Sequence, residues 1–391
     1  MEYSRRTSEI GFWEEENQLT RTKFTRNSSG LPVYDLTETN PTILGLEFPW
    51  SDLLSTLHYE DFSEYNPEPQ GLLSSRKFLA GSSIIPAEPD DFYFASSTSE
   101  AISYLIKLFC DPGDSILIPT PGYPLFPHII SLEANHPIEV PLLKENKLWV
   151  YDIGAFEKAI LPNTKMILLV HPSNPTGAYL TDQNWNELGE ISRKYQIPIV
   201  ADIVFLNHKL EGGNFPLPIS FQGILFLVQG ISKWLCLPQW KLAWIQVVAS
   251  ANLKTEIQKG LSGITDIYLS TNSFAQKKLE QLVSWQDVVL KQWKSRVNRN
   301  ISMIESLFVE KNSKFKLEFS EALPYGRLVA EKLDEEWCCK LLEETGIYTY
   351  PGEWFGFKNE ESCLLFSLLE ANDNLLDKME ILLGWSSKNR R

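Results

Sequence analysis

Short apolar runs alternate with amphipathic stretches through the middle of the chain, the pattern of βαβ units on a largely parallel sheet. Ser115-Ile-Leu-Ile118 predicts a strand that stops at the turn Pro119-Thr-Pro-Gly-Tyr-Pro124. Met166-Ile-Leu-Leu-Val170 predicts a second, running into His171-Pro-Ser-Asn-Pro-Thr-Gly177. Thr181 can cap the helix that follows, whose Trp185, Leu188, Ile191 and Tyr195 fall at helical spacing. Ile197-Pro-Ile-Val-Ala201 predicts a third strand ending at Asp202, and Ile224-Leu-Phe-Leu-Val228 a fourth ending at Gly230-Ile-Ser-Lys233. Upstream, Ser96 to Ser99 precede a helical run from Glu100 to Phe109 that Pro112 and Gly113 close. A long helix is expected from about Trp285 to Phe308, and the first 45 residues show no long periodic segment. Three of the four strands deliver a polar or ionisable residue near their C-terminal ends, where open α/β sheets hold ligands.

Composition narrows the field. The 391 residues are 43% hydrophobic and 22% charged, a core-forming mixture that excludes disorder and collagen-like repeats. A length of this size favours two or three lobes over one. The formal net charge of −14 repels phosphate backbones and anionic headgroups, so neither nucleic acid nor membrane is an expected partner. No apolar run reaches the ~20 residues of a spanning helix, and the N-terminus lacks a signal-like apolar core. Cys110, Cys236, Cys338, Cys339 and Cys363 have no metal-ligand spacing and read as reduced thiols of a cytoplasmic protein. The five histidines likewise lack metal spacing, and no Walker loop, dinucleotide fingerprint or nucleophile elbow is present. No metal is expected.

Taken one at a time, the polar strand ends have ordinary readings. Lys233 could be a solvated lysine, Asp202 a helix cap, and Asn174-Pro-Thr-Gly177 a turn. Their order and spacing together resemble the class I/II (fold type I) pyridoxal-phosphate (PLP) dependent aminotransferases, over most of the chain from about Tyr34. The matching segments are Tyr65-Asn-Pro-Glu-Pro-Gln-Gly71, Ser97-Thr-Ser-Glu-Ala101, Pro119-Thr-Pro-Gly-Tyr-Pro124, Asn174-Pro-Thr-Gly177, Asp202-Ile-Val-Phe205, and Ser232-Lys233 with Lys241.

The resemblance implies an α/β fold: a three-layer αβα large domain with a mostly parallel sheet over residues 46–285. A smaller α+β domain would be built from residues 1–45 and 286–391. It implies an enzyme that moves an amino group from an amino acid or amine to a 2-oxo acid through a Schiff base on Lys233, which then serves as general base. Asp202 would keep the pyridine nitrogen protonated, Asn174 would donate to the phenolic oxygen, and Tyr123 would lie against the ring. Ser97, Thr98 and Ser99, opening a helix, would hold the phosphate with Lys241 as its cation. Tyr65 would reach the phosphate of a neighbouring subunit, implying a homodimer with shared sites. A lyase or decarboxylase on the same cofactor, or a low-activity PLP-binding regulator, is the alternative.

Four positions depart from the family pattern. Phe205 stands where a tyrosine often donates to the phenolic oxygen, so the Schiff base is expected to hold its proton to higher pH. Gly230 replaces a phosphate-binding serine, and Lys241 an arginine with a bidentate fork. Leu365, in Cys363-Leu-Leu-Phe-Ser-Leu368, stands where relatives carry an arginine for the substrate carboxylate, and Arg327 is the candidate replacement. Finally, no arginine for a distal acid group lies around Asp266 to Tyr268, which weighs against aspartate or glutamate as donor.

Overall fold

Seven strands make the central sheet of the larger unit, which spans Glu47–Leu290. They are β1 (Phe92–Ala95), β2 (Ser115–Thr120), β3 (His136–Pro141), β4 (Thr164–Val170), β5 (Ile199–Asp202), β6 (Leu225–Gly230) and β7 (Ala243–Val248). Their spatial order is β1-β7-β6-β5-β4-β2-β3, and every pairing is parallel except the two made by β7. This computed structural model describes residues 4–9, 17–43, 45–59, 63 and 67–388.

Continuous apolar runs are what a sheet covered on both faces requires. Alternate residues such as Ile116, Met166, Leu168, Val200, Phe226, Val228 and Ile245 join one core cluster with Ala101, Ile102 and Leu105 of helix α1 (Thr98–Phe109). The intervening residues, among them Leu117, Ile167, Leu169, Ala201 and Leu227, are equally buried on the other face. Helix α2 (Asp182–Tyr195) starts at the expected Thr181, which forms a capping box with Asn184 and buries Trp185, Leu188 and Ile191. Strand β5 begins at Ile199 and not at Ile197, because Pro198 has no N–H to give the ladder; its carbonyl still accepts from Ile167.

The smaller unit comprises Met1–Leu46 and Lys291–Arg391. Its antiparallel sheet contains β8 (Lys316–Phe319), β9 (Tyr325–Val329), β10 (Tyr350–Pro351) and β11 (Cys363–Ser367), in the order β8-β9-β11-β10. The two chain ends are joined by parallel pairing of Tyr34–Asp35 with Ile347–Tyr348. A helix over Gln18–Ser28 is among the elements that escaped the sequence pattern. It buries only Leu19, so it carries almost no hydrophobic period; Asn17 caps it by accepting from the Thr20 N–H at 2.8 Å. No helix among the described residues is long and apolar enough to cross a membrane. No cluster of three or more His, Cys, Asp or Glu among them is suited to a metal.

Candidate active site

Strand register fixes the site. Ala243, the first residue of β7, stands opposite Ala95 at the end of β1 and opposite Gly230 at the end of β6. Asp202 ends β5 and pairs with Val170 at the end of β4. One edge of the sheet therefore collects the Ser97 turn, the Asn174 loop, Asp202, and the segment from Gly230 to Lys241.

Asp202 is buried. Its carboxylate accepts from the Val204 N–H at 3.1 Å and from the Thr98 hydroxyl. Burial pushes its pKa up to about 6, while the Val204 and Thr98 hydrogen bonds and the charge of Lys233 pull the other way. Lys233 sits in the short helix α3 (Ile231–Trp234) directly after β6. It is exposed as a residue, and partial desolvation of its amine lowers its pKa against the opposing pull of Cys236 and Asp202. The Cys236 thiol donates to the Lys233 carbonyl at 3.7 Å, and burial pushes that thiol up to about 12, so it stays neutral.

Two buried polar atoms beside these groups have no partner among the described residues: Asn174 Oδ1 and Trp234 Nε1. The loop carrying Asn174 is braced by His171. Its Nδ1 accepts from the Leu180 N–H at 2.9 Å, and Nε2 donates to the Pro216 carbonyl at 2.9 Å. Burial takes the imidazole pKa down to about 3, so His171 is neutral and the two bonds fix its tautomer. Buried Tyr151 donates to the Val170 carbonyl at 2.5 Å, fixing the end of the strand from which the same loop departs.

Ser97 is the N-cap of α1, its hydroxyl accepting from the Glu100 N–H at 3.1 Å. Thr98 points its hydroxyl at Asp202, while Ser99 is half-buried in the first turn. Tyr123 follows β2 and meets Phe126 edge-on at 5.4 Å. Lys241 is exposed in a left-handed turn (φ 50°) just before β7. Gly230 gains a packing reason: a Cβ there would stand 2.9 Å from the Leu242 carbonyl oxygen and 3.0 Å from the Ala243 Cβ. Phe205 is buried and meets His208 edge-on at 5.5 Å. Tyr65 lies outside the described residues.

Arg327 belongs to the smaller unit, on β9. It stands opposite Glu318 on one side and Leu365 on the other. Its guanidinium is ion-paired with Glu318, lies 3.9 Å from Glu361, and covers the Phe357 ring at 4.6 Å. Sequence reasoning missed this pairing, along with the Thr98–Asp202 bond and the Cys236 thiol. Only Cys236 left a signal, its position three residues after Lys233.

The larger unit's residues fit PLP. A partly desolvated amine, a buried carboxylate, an asparagine whose buried Oδ1 has no partner among the described residues and a hydroxyl-bearing helix start stand at one sheet edge, with a lysine on its rim. The family model described as aminotransferase class I and II matches residues 70–378. A tyrosine aminotransferase of Dictyostelium discoideum is 28% identical over 289 residues, covering 69% of this chain and 68% of that protein. An alanine aminotransferase of Mycobacterium tuberculosis is 26% identical over 277 residues, covering 67% and 64%. An alanine aminotransferase from Pyrococcus furiosus superposes with a TM-score of 0.87 at 21% identity, over 99% of this chain and 100% of that one.

Proposed function

We propose, for a chain that belongs to the class I and II aminotransferases, the PLP-dependent transferases, a division of labour in which Lys233 is the cofactor anchor and proton carrier and Asp202 the partner of the pyridine nitrogen. The reaction moves an amino group from an amino acid to a 2-oxo acid. PLP, when bound, supplies an aldehyde that amines condense with and a ring that draws electrons from the substrate's α-carbon.

Lys233 Nζ is the group that takes the substrate's α-proton. Desolvation favours its neutral form, which both nucleophilic attack and base catalysis need. Asp202 is costly to ionise where it stands, so a cation brought beside it is held strongly. Asn174 would donate from its side-chain N–H₂ to an oxygen on the ring edge, and Tyr123 would restrict the ring's tilt. Ser97, Thr98, Ser99 and Lys241 receive the phosphate, with Thr98 also orienting Asp202. Arg327 would meet a substrate carboxylate only by giving up Glu318, so we read its first role as bracing the smaller sheet. Residues 47–290 act as the cofactor-binding domain.

A homodimer sharing its sites through Tyr65 fits the surface of the larger unit. Ile267 and Leu269 are 79% and 65% exposed, and Leu54 is 63% exposed. Light scattering giving twice the chain mass is the expected result.

The observation that carries this reading is the desolvated Lys233 amine beside buried Asp202 at the β5–β6 edge. Borohydride traps a lysine–cofactor bond as a stable adduct. Peptide mass analysis is expected to find the pyridoxyl group on Lys233, and an unmodified Lys233 in PLP-saturated protein would refute the assignment.

A further inference from the structure

The smaller unit contains a cavity of about 460 Å³ between the end of β9, helix Glu335–Thr345 and helix Asn372–Lys388. Its apolar wall is aromatic. Trp337 meets Trp385 edge-on at 5.0 Å and Phe315 at 6.4 Å. The Trp385 indole is pinned by donating to Glu344 at 2.6 Å, so the wall is preformed.

Lys314, Lys332 and Lys340 also line the cavity, and none of them forms an ion pair among the described residues. Lys332 is held in left-handed backbone (φ 60°), a conformation that lysine adopts at a cost. That turn places a cation at the mouth, although glycine or asparagine would turn more cheaply. Glu331, Asp334 and Glu336 line it too, equal in number to the lysines. Asp334 already accepts from the Trp337 N–H at 2.9 Å as the helix cap.

A polyphosphate would bring several anionic groups close to Glu331, Asp334 and Glu336 at once, whereas a single carboxylate needs only one of the lysines. A single carboxylate on an aromatic body suits both halves: ring edges against the indoles, and one anionic end at the unpaired lysines. We infer that this cavity binds a small aromatic carboxylate, in a second ligand site carried wholly by the smaller unit. Such a ligand shares the chemistry of aromatic amino acids and of their 2-oxo acids, so the site is suited to sensing them.

Calorimetric titration of the PLP-loaded enzyme with indole-3-acetate tests this, with tryptamine as the cationic control. Lys332 and Lys340 are exposed, so the K332A/K340A double variant is expected to fold. The site predicts saturable binding of indole-3-acetate and none of tryptamine. It further predicts affinity at least about tenfold weaker in K332A/K340A and unchanged in Lys233→Ala. Binding that survives in K332A/K340A, that vanishes in Lys233→Ala, or that tryptamine matches would overturn the proposal, as would no binding at all.

Discussion

The edge of the central sheet and the middle of the smaller sheet both bury charge, and they treat it in opposite ways. On the smaller sheet, Glu318, Arg327, Leu365 and Tyr350 stand opposite one another in a row across four strands. Arg327 and Glu318, with side chains 6% and 9% exposed, answer each other, and Phe357 covers the guanidinium. At the central edge, Lys233 makes no ion pair among the described residues, Asp202 is held by a hydroxyl and an N–H, and Asn174 and Trp234 keep buried atoms unmet. Matched charge is a structural solution, because each partner offsets the other's desolvation. Unmatched polar groups lower stability and persist where a ligand completes them.

The largest expected effect comes from Lys233→Ala. If Lys233 holds the cofactor and moves the proton as proposed, its removal should lower turnover by about 10⁴-fold or more. Folding should change little, because the amine makes no ion pair among the described residues and desolvation already disfavours its charge. Steady-state kinetics alongside a thermal melt separate the two outcomes.

The opposite pattern is expected on the matched row. Arg327→Ala leaves Glu318 buried without its guanidinium, beside the peripheral Lys316, at a cost of about 3 kcal/mol in urea unfolding. The double variant R327L/E318L should recover most of that loss. If the double variant also keeps the KM for its amino donor, Arg327 is a brace; a steep rise in KM in a well-folded double variant would make it a substrate ligand.

Asp202→Asn sharpens the contrast through its sign. The folded carboxyl titrates near 6 against an ordinary 3.8, so its ionised form destabilises the cofactor-free protein above about pH 6. That penalty fades as pH falls towards 4. Cofactor-free D202N should therefore be more stable than the parent at pH 8, by up to about 3 kcal/mol, and equal to it near pH 4. With PLP bound the order should reverse, because the variant has lost its anion. Calorimetric melts at the two pH values, with and without cofactor, test both halves.

The smallest effect is a control on ordinary structure. Thr181→Ala removes one side of a capping box and should cost about 1 kcal/mol with turnover unchanged. A larger loss of activity than of stability would show that α2 feeds into the site.

Much of the fold was legible because the strands of a doubly covered sheet are continuous apolar runs. The polar residues that break those runs, Asp202 above all, announce the sheet edge. Boundaries shifted where one residue's chemistry intervened, as Pro198 did at β5. The helix Gln18–Ser28 was invisible because a single buried leucine leaves no period. At the site, strand ends could be read from the sequence but side-chain partners could not. Thr98 appears in a serine-rich helix start with nothing to reveal that it faces Asp202 from a distant strand. Gly230 reads in sequence as a missing hydroxyl, and only packing against Leu242 and Ala243 shows why a side chain is excluded. Arg327 looked available because its neighbour across the strand, Glu318, is unremarkable in the sequence.

One consequence of the β7 register concerns insertions and deletions. Because Ala243 is the shared neighbour of Ala95 and Gly230, the helix start after β1 and the lysine segment after β6 are measured from a single residue. Adding or removing one residue within β1, β6 or β7 would shift one of them by about 3.3 Å and turn its side chains to the opposite face. Length changes should therefore survive in loops remote from the site but not in these three strands, even at positions that never touch a ligand. A library of single-residue insertions scored for folded, PLP-binding protein should show these three strands as sharply bounded gaps beside those of the site itself.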